Sequence, residues 1–226
     1  FIAEIYIDSL NKPLEFMYYL SYLRTLANQL PSFSFRWIFE NYPEDKPLFK
    51  KVNYSGIDLD SLGGYYETKS QFNYLIKKLT TNLEAIGKYR AYKVDDPILS
   101  KAANRTFKSA LEYRFYHNNG SSSFIDLSIQ SALMDYTIQL SKLNTLDKID
   151  SEVLVGPTVM NPLANTETIS NSCSLSIEYI IQYLKEVKND MEKTMLIVFI
   201  VVVIFFVIYY GVLTYLQIVK VKANKD

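Results

Sequence analysis

The stretch MLIVFIVVVIFFVIYYGVLTYL, residues 195–216, decides the architecture of the chain because it contains no charged side chain. At 1.5 Å per residue, a helix of this length measures about 33 Å, enough to cross a hydrocarbon core of about 30 Å. Tyr209, Tyr210 and Tyr215 collect toward one end, where aromatic side chains favour the lipid headgroups. Core helices of soluble proteins rarely run this far without a polar residue, so the sequence predicts a transmembrane helix.

The residues before this segment predict a helical stalk that enters the membrane without a break. Apolar side chains fill the a and d positions of a heptad pattern at Ile177, Ile180, Leu184, Val187 and Met191. We call these five residues the stalk seam and expect it to hold two or more copies of the chain together. The alternative is that the seam packs against the body of its own chain.

The side of the membrane on which the body lies is weakly specified. Each flank of the apolar segment carries three lysines, so the positive-inside rule favours neither orientation. The chain starts at Phe1 without an initiator Met, and its apolar start FIAEIYI fits the end of a first membrane helix or the loss of a signal peptide. We therefore expect an extracellular or lumenal body. A tail-anchored protein with a cytosolic body is the alternative, which the scarcity of Cys favours.

The composition excludes several classes of protein. The 24 basic and 24 acidic residues cancel, which removes the positive surface of a nucleic-acid binder. One Cys and one His cannot build a disulfide framework or a standard zinc site. The P-loop, GxGxxG, HExxH and GxSxG motifs are all missing from the sequence. We expect a non-enzymatic protein with no cofactor and no metal.

Apolar side chains at helical spacing predict four amphipathic helices before the stalk. The first should begin at Asn11–Pro13 and end at Pro31, and the second should begin at Thr68 or Ser70. The third should begin at 95–97 and stop at 117–120, and the fourth should open with a capping box at 123–126. We expect an all-α antiparallel bundle whose fifth helix, from Ser172 or Ser174, continues into the membrane.

These boundaries divide the chain into four segments. We expect a helical body at 1–172, a stalk at 173–194, a transmembrane helix at 195–216 and a short basic tail at 217–226. Two long connections in the body, 31–67 and 147–170, should be irregular. Residues 33–41 form a short helix in an alternative interpretation of the first connection, and 153–155 and 159–160 are candidate short strands in the second.

Two stretches surround an arginine with aromatic side chains, FSFRWIF at 33–39 and YRFYH at 113–117. Such surroundings are typical of small-molecule pockets and of the residues that dominate protein interfaces. The candidate binding residues are therefore Arg36, Trp37, Tyr113 and Arg114. The alternative is that these aromatic side chains simply belong to the core. Three Asn-X-Ser/Thr sequons, at Asn53, Asn104 and Asn119, are candidate glycosylation sites if the body is lumenal or extracellular.

The stalk seam together with the 195–216 segment resembles the helical sensor ectodomains of membrane-anchored receptors. This resemblance implies a body that binds a ligand or partner outside the membrane, and association through the stalk. Receptors of this kind usually continue into a cytoplasmic signalling module, whereas about ten residues follow the apolar segment here. The alternative is a structural or accessory subunit of a membrane assembly. The expected partners are the bilayer and either further copies of the chain or other membrane subunits, without nucleic acid.

Overall fold

A computed structural model of the protein describes residues 2–41, 65–91, 96–108, 111–146 and 149–223. The chain forms two compact units. The first, which we call the stalk unit, combines Phe1–Leu10 with Tyr183–Asp226, and the second, the body unit, contains Asn11–Gln182.

The expectation of a mostly helical chain with a long apolar C-terminal helix is confirmed. In chain order the elements are α1 Ile2–Asn41, α2 Tyr65–Gly87 with a 3-10 turn at Lys88–Ala91, α3 Pro97–Phe107, β1 Leu111–Tyr116, β2 Ser122–Leu127, α4 Ile129–Thr145, α5 Ser151–Val155 and α6 Pro157–Ala223. The all-α class is wrong in one respect, because β1 and β2 form a small antiparallel sheet.

The core of the body unit is built from the apolar stripes that the sequence predicts. α2 packs against α4, and α3 packs against α4 as well. The largest fully buried apolar side chains come from α1, α2, α3 and α4 and include Leu20, Leu23, Leu30, Trp37, Phe72, Leu79, Ile86, Leu99, Ile129 and Leu133. Helical periodicity therefore identifies the inward faces of these helices, except at Trp37, which lies in the connection expected to be irregular.

The predicted bounds of the first helix are wrong, because α1 runs through both Pro13 and Pro31. A proline lacks the N–H that would bond to the carbonyl four residues earlier, which for Pro31 is the carbonyl of Ala27. Tyr136 Oη donates to the Ala27 carbonyl oxygen at 2.9 Å. This contact from α4 satisfies the acceptor that Pro31 leaves open, and α1 continues to Asn41. The first part of the expected loop 31–67 is thus helical, and positions 42–64 lie outside the described residues.

The third predicted helix begins where expected and ends too late. Asp96 caps α3, with Oδ1 accepting hydrogen bonds from the backbone N–H groups of Ile98 and Leu99 at 2.8 and 3.0 Å. The helix ends at Phe107, and the residues from Leu111 onward form β1. The predicted helix included these residues, whereas the alternation of L-E-Y-R-F-Y suits a strand with one buried face.

The predicted start of the fourth helix at 123–126 is also wrong, since these residues belong to β2. A turn at Asn118–Gly120 joins the strands, with His117 N donating to Ser121 O at 2.8 Å. Gly120 has φ of 77°, the left-handed conformation that closes three-residue hairpin loops. Helix α4 begins instead at Ile129, where Ser128 Oγ accepts from Ser131 N at 3.0 Å.

The connection expected at 147–170 is mostly helical rather than irregular, and the candidate strands at 153–155 and 159–160 lie in α5 and α6. Asp150 caps α5 by accepting from Val153 N at 3.0 Å. Pro157 occupies the first position of α6, where a missing N–H costs no helical hydrogen bond. The last long helix therefore starts well before the predicted Ser172 or Ser174.

In the stalk unit, α6 carries the apolar segment. Every residue from 195 to 220 is exposed, and α6 is long and apolar enough to cross a membrane. The start of α1 lies beside α6, where the hydroxyl groups of Tyr6 and Thr194 form a hydrogen bond at 3.0 Å.

Candidate functional site

The four predicted binding residues lie on two elements, Arg36 and Trp37 on α1 and Tyr113 and Arg114 on β1. Trp37 belongs to the core of the body unit. Trp37 is fully buried, and its Nε1 donates to the Leu143 carbonyl oxygen at 3.1 Å. Lys69 Nζ lies 5.5 Å from the centroid of the indole ring. Arg36, the neighbour of Trp37, is half-buried. The indole therefore packs the interior and presents no surface to a partner.

Tyr113 and Arg114 are neighbours on β1 and point to opposite faces of the hairpin. Tyr113 is fully buried, and its hydroxyl donates to Asp135 Oδ2 at 2.6 Å. Burial, followed by the hydrogen bond and charge of Asp135, raises the pKa of Tyr113 above its usual range. Arg114 is exposed. Strand alternation thus makes Tyr113 part of the support and Arg114 the accessible member of the pair.

Two buried asparagines of α6 fix the backbone of β1. Asn165 Oδ1 accepts from Arg114 N, and Asn165 Nδ2 donates to Arg114 O, both at 2.8 Å. One helical turn earlier, Asn161 Oδ1 accepts from Tyr116 N at 2.8 Å. These amides occupy the hydrogen-bonding positions that a neighbouring strand would use, so they hold this edge of β1 in place.

The exposed face of the hairpin holds Arg114 between two aromatic rings. Its Cζ lies 5.2 Å from the ring centroid of Tyr116 and 5.8 Å from that of Phe124. Its Nε donates to Ser122 Oγ at 3.2 Å, which orients the guanidinium group. The remaining guanidinium N–H groups suit a carboxylate or phosphate. We call the side chains on this surface the hairpin face: Glu112, Arg114, Tyr116, Ser122, Phe124 and Asp126.

Sequence reasoning identified Arg114 and missed the residues that orient it. Tyr116, in the quoted stretch 113–117, is its neighbour along β1, whereas Phe124 becomes its neighbour only through the strand register, in which the two residues lie opposite each other. The alternation of residues 111–116 and the Asn-Asn-Gly turn were the local signals for this hairpin. Asn161 and Asn165 carry no such signal beyond their spacing of one helical turn.

The stalk seam divides between buried and half-buried residues. Ile177 and Ile180 lie in the core of the body unit, whereas Leu184, Val187 and Met191 of the stalk unit are half-buried. The first two side chains therefore cannot contact a second copy in this conformation. For these two residues the body of the same chain covers the helix, and association through the other three stays a prediction.

Cys173, which lies one turn before the stalk seam, is not accessible to a second copy of the chain. It is fully buried in the body unit, and burial raises the pKa of its thiol to about 12, with Arg24 opposing the shift. A bridge between two copies through Cys173 would require the body to open.

The sequons differ in their surroundings. Asn119 lies in the exposed turn, and its Oδ1 accepts from the N–H and the hydroxyl of Ser121. Asn104 is exposed on α3, but Thr106 of the same sequon is buried and donates to the Ala102 carbonyl oxygen. Asn53 lies outside the described residues. Asn119 is therefore the sequon whose surroundings best admit a glycan.

An open groove of about 320 Å³ lies between α1 and α2 in the body unit. Its lining residues are Gln29, Ser32, Phe33, Gln71, Tyr74 and Leu75. None of the four predicted binding residues contributes to it. Within the described ranges, no group of three or more His, Cys, Asp or Glu residues is placed to hold a metal ion.

The hairpin face is the arrangement in the body unit that best combines exposure, a fixed cation and aromatic side chains. Its supporting residues come from the consecutive strands β1 and β2 and from α6, whose Asn161 and Asn165 lie 45 and 51 residues beyond the strand residues they contact. Compared with known proteins, the chain matches no family model, no curated protein and no solved structure.

Proposed function

We propose that this chain is a non-enzymatic, single-pass membrane protein whose helical body lies on the extracellular or lumenal side and binds a partner protein. The observation that carries the proposal is the hairpin face, where Arg114 is held between Tyr116 and Phe124. Tyrosine and arginine are enriched among the residues that dominate protein interfaces. A side chain that is already oriented also loses less conformational entropy on binding.

The membrane anchor in this proposal is residues 195–216 of α6. Soluble proteins rarely expose contiguous apolar patches larger than a few hundred Å². Here the large apolar side chains are exposed around the whole helix, from Met195 to Val219. Lipid is the environment that makes such a surface favourable, and the tyrosines near its end suit the headgroup layer.

The partner in this proposal presents a carboxylate to Arg114 and an apolar group to Phe124. The guanidinium provides donors in a planar fork that fits a carboxylate. Phe124 is 61% exposed, which leaves most of its ring available for contact. A folded protein supplies both groups on one surface, as at other interfaces that combine a charged contact with an aromatic anchor.

Site-specific photo-crosslinking in native membranes tests this proposal. p-Benzoylphenylalanine at Phe124 preserves an aromatic side chain and should give a discrete adduct with a protein. The same group at Val155, which is 58% exposed on α5, is the matched control and should give none. Arg114→Ala should reduce the Phe124 adduct several-fold. Equal labelling from both positions, or no adduct from Phe124, would contradict the proposal.

A second candidate function is that of an accessory subunit packed within a membrane assembly. Met134 and Ile138 lie one turn apart on α4 and are 51% and 50% exposed. Such a pair of apolar side chains suits a helix–helix contact with another subunit. A protein adduct from p-benzoylphenylalanine at Ile138, with none from Phe124, would favour this function over the first.

A further inference from the structure

The outer edge of β2 is open, whereas that of β1 is covered at Arg114 and Tyr116 by α6. The backbone hydrogen bond from His117 N to Ser121 O determines which opposed residues of β1 and β2 form hydrogen bonds with each other. Because bonded and non-bonded pairs alternate, the backbone groups of Ser122, Phe124 and Asp126 point away from β1. Among the described residues these groups have no hydrogen-bond partner, and every side chain from 122 to 126 is exposed.

The hairpin is therefore asymmetric in its capacity to accept another strand. Asn165 and Asn161 take up the Arg114 N–H and C=O and the Tyr116 N–H, three of the outward backbone groups of β1. On β2, the sequence SSFIDL contains no Pro, no Lys and no bulge, and Asp126 is its one charged side chain. An open edge beside exposed side chains is the surface that strand addition uses.

We propose that β2 pairs with β2 of a second copy of the chain, forming a four-stranded antiparallel sheet across a two-fold axis at Phe124. This inference rests on the proposed function and names the partner of the hairpin face. The two-fold axis requires each residue contact to occur twice, so the edge must be complementary to itself.

The backbone of β2 meets this requirement. When Phe124 lies opposite Phe124 of the second copy, Ser122 of each copy lies opposite Asp126 of the other. In all three opposed pairs the outward-pointing backbone N–H and C=O groups then face each other, and each pair exchanges two hydrogen bonds. The two phenylalanine rings become cross-strand neighbours, a pairing that stabilises antiparallel sheets.

The charges of the hairpin face are also complementary in this register. Within one copy, Asp126 lies directly opposite Glu112, and neither forms an ion pair among the described residues. Like charges in this position destabilise a sheet. Pairing brings Asp126 beside Ser122 of the second copy. The hydroxyl oxygen of that serine accepts a hydrogen bond from Arg114 Nε of its own copy. Arg114 of the second copy lies two strands from Asp126 and two residues further along, about 12 Å between Cα atoms, which the two side chains can bridge together.

Crosslinking between two differently tagged copies tests this inference in the full-length protein in membranes. With p-benzoylphenylalanine at Phe124, the adduct should have twice the chain mass and carry both tags. The Val155 control should give no such adduct. A Phe124 adduct that contains a different protein would overturn the inference and leave the proposed function standing, whereas no adduct would overturn both.

A charge exchange tests the register. Arg114→Glu should reduce the two-tag adduct at least several-fold, because three acidic residues then crowd the face. Adding Asp126→Arg to the same chain should restore it, since the exchanged pair is again complementary. Both side chains are exposed, so neither change removes a core contact. A two-tag adduct unaffected by Arg114→Glu, or one that the double variant fails to restore, would overturn the proposed register.

Discussion

Tyr136 shows how a single side chain can decide the length of a helix. Its hydroxyl donates to the Ala27 carbonyl oxygen, the acceptor that Pro31 deprives of its helical donor. Burial also raises the pKa of Tyr136, so the hydroxyl stays protonated and able to donate. The sequence places a proline at position 31, which favours a helix end, and only the tertiary contact reverses that preference.

We expect Tyr136→Phe to lower the free energy of unfolding by about 1–3 kcal/mol, because a buried carbonyl loses its partner. In a Pro31→Ala background the restored N–H of residue 31 should donate to the Ala27 carbonyl oxygen. The loss of unfolding free energy caused by Tyr136→Phe should then be smaller. Denaturant unfolding in detergent, followed by the fluorescence of the one tryptophan, buried Trp37, measures both values. Tyr74→Phe, at an exposed position, is the control. Equal costs in both backgrounds would refute this explanation of α1.

Alkaline pH should destabilise the body through Tyr113. Burial and the contact with Asp135 raise the pKa of Tyr113 in the folded state above the unfolded value of about 10. The folded state therefore keeps a proton that the unfolded state releases, and stability falls as pH rises above about 10. Tyr113→Phe removes this titration, so its free energy of unfolding should fall less between pH 9 and 11. Identical slopes for the two proteins would contradict the assignment.

The Cys173 thiol should react slowly with maleimide in the folded protein and fully after denaturation. It is buried, and its pKa is raised to about 12, so little thiolate is exposed to the reagent. Asn171→Cys in a Cys173→Ala chain is an exposed control two residues away and should react rapidly. Fast labelling of Cys173 in the native state, or a disulfide-linked dimer through it, would show that this face opens.

At the scale of secondary structure, local patterns predict helices well where the core is formed by one periodic stripe. Helix α2 and the inward face of α4 follow from that pattern, and the Asp96 cap of α3 follows from its Asp-Pro start. The hairpin was missed because residues 111–116 also satisfy a loose helical spacing. Strand alternation and the Asn-Asn-Gly turn were present in the sequence and would have favoured the correct structure.

Other features of the elements depend on contacts that no local pattern reports. The passage of α1 through Pro31 requires Tyr136, and the closed edge of β1 requires Asn161 and Asn165. In the candidate site, the sequence supplied Arg114 but not the register that places it over Phe124. It also offered Trp37 as a binding residue, whereas the structure buries that side chain in the core.

Asn165→Ala should loosen the hairpin. The substitution leaves the Arg114 N–H and C=O without the partners they have in the protein, at a cost of about 0.5–1.5 kcal/mol per hydrogen bond. The Arg114 amide should then exchange with solvent at least tenfold faster. Asn28→Ala, which removes an exposed side-chain contact to Ser170, is the control and should leave this exchange unchanged. Unchanged protection in Asn165→Ala would show that β1 does not depend on α6.

At the scale of the whole molecule, the two units carry different parts of the proposal. The body unit contains the apolar core and the hairpin face, and the stalk unit contains the exposed apolar helix. Their roles are separable, because substitutions at Arg114 or Phe124 should alter association and leave membrane insertion intact. Carbonate extraction of the Arg114→Glu chain checks this, and release of the variant from the membrane would contradict it.

The proposal depends most on residues 195–216 crossing a bilayer, and cysteine accessibility tests this most directly. Cys173 is buried, so it gives a low background for single cysteines introduced at Lys188, Phe205 and Lys220. The reagent is a maleimide that cannot cross membranes. In intact cells or sealed vesicles, we expect labelling at 188 from the extracellular or lumenal side and at 220 from the opposite side. Position 205 should stay unlabelled until detergent is added. Labelling of 188 and 220 from the same side, or of 205 as fast as 188 in intact membranes, would contradict the span.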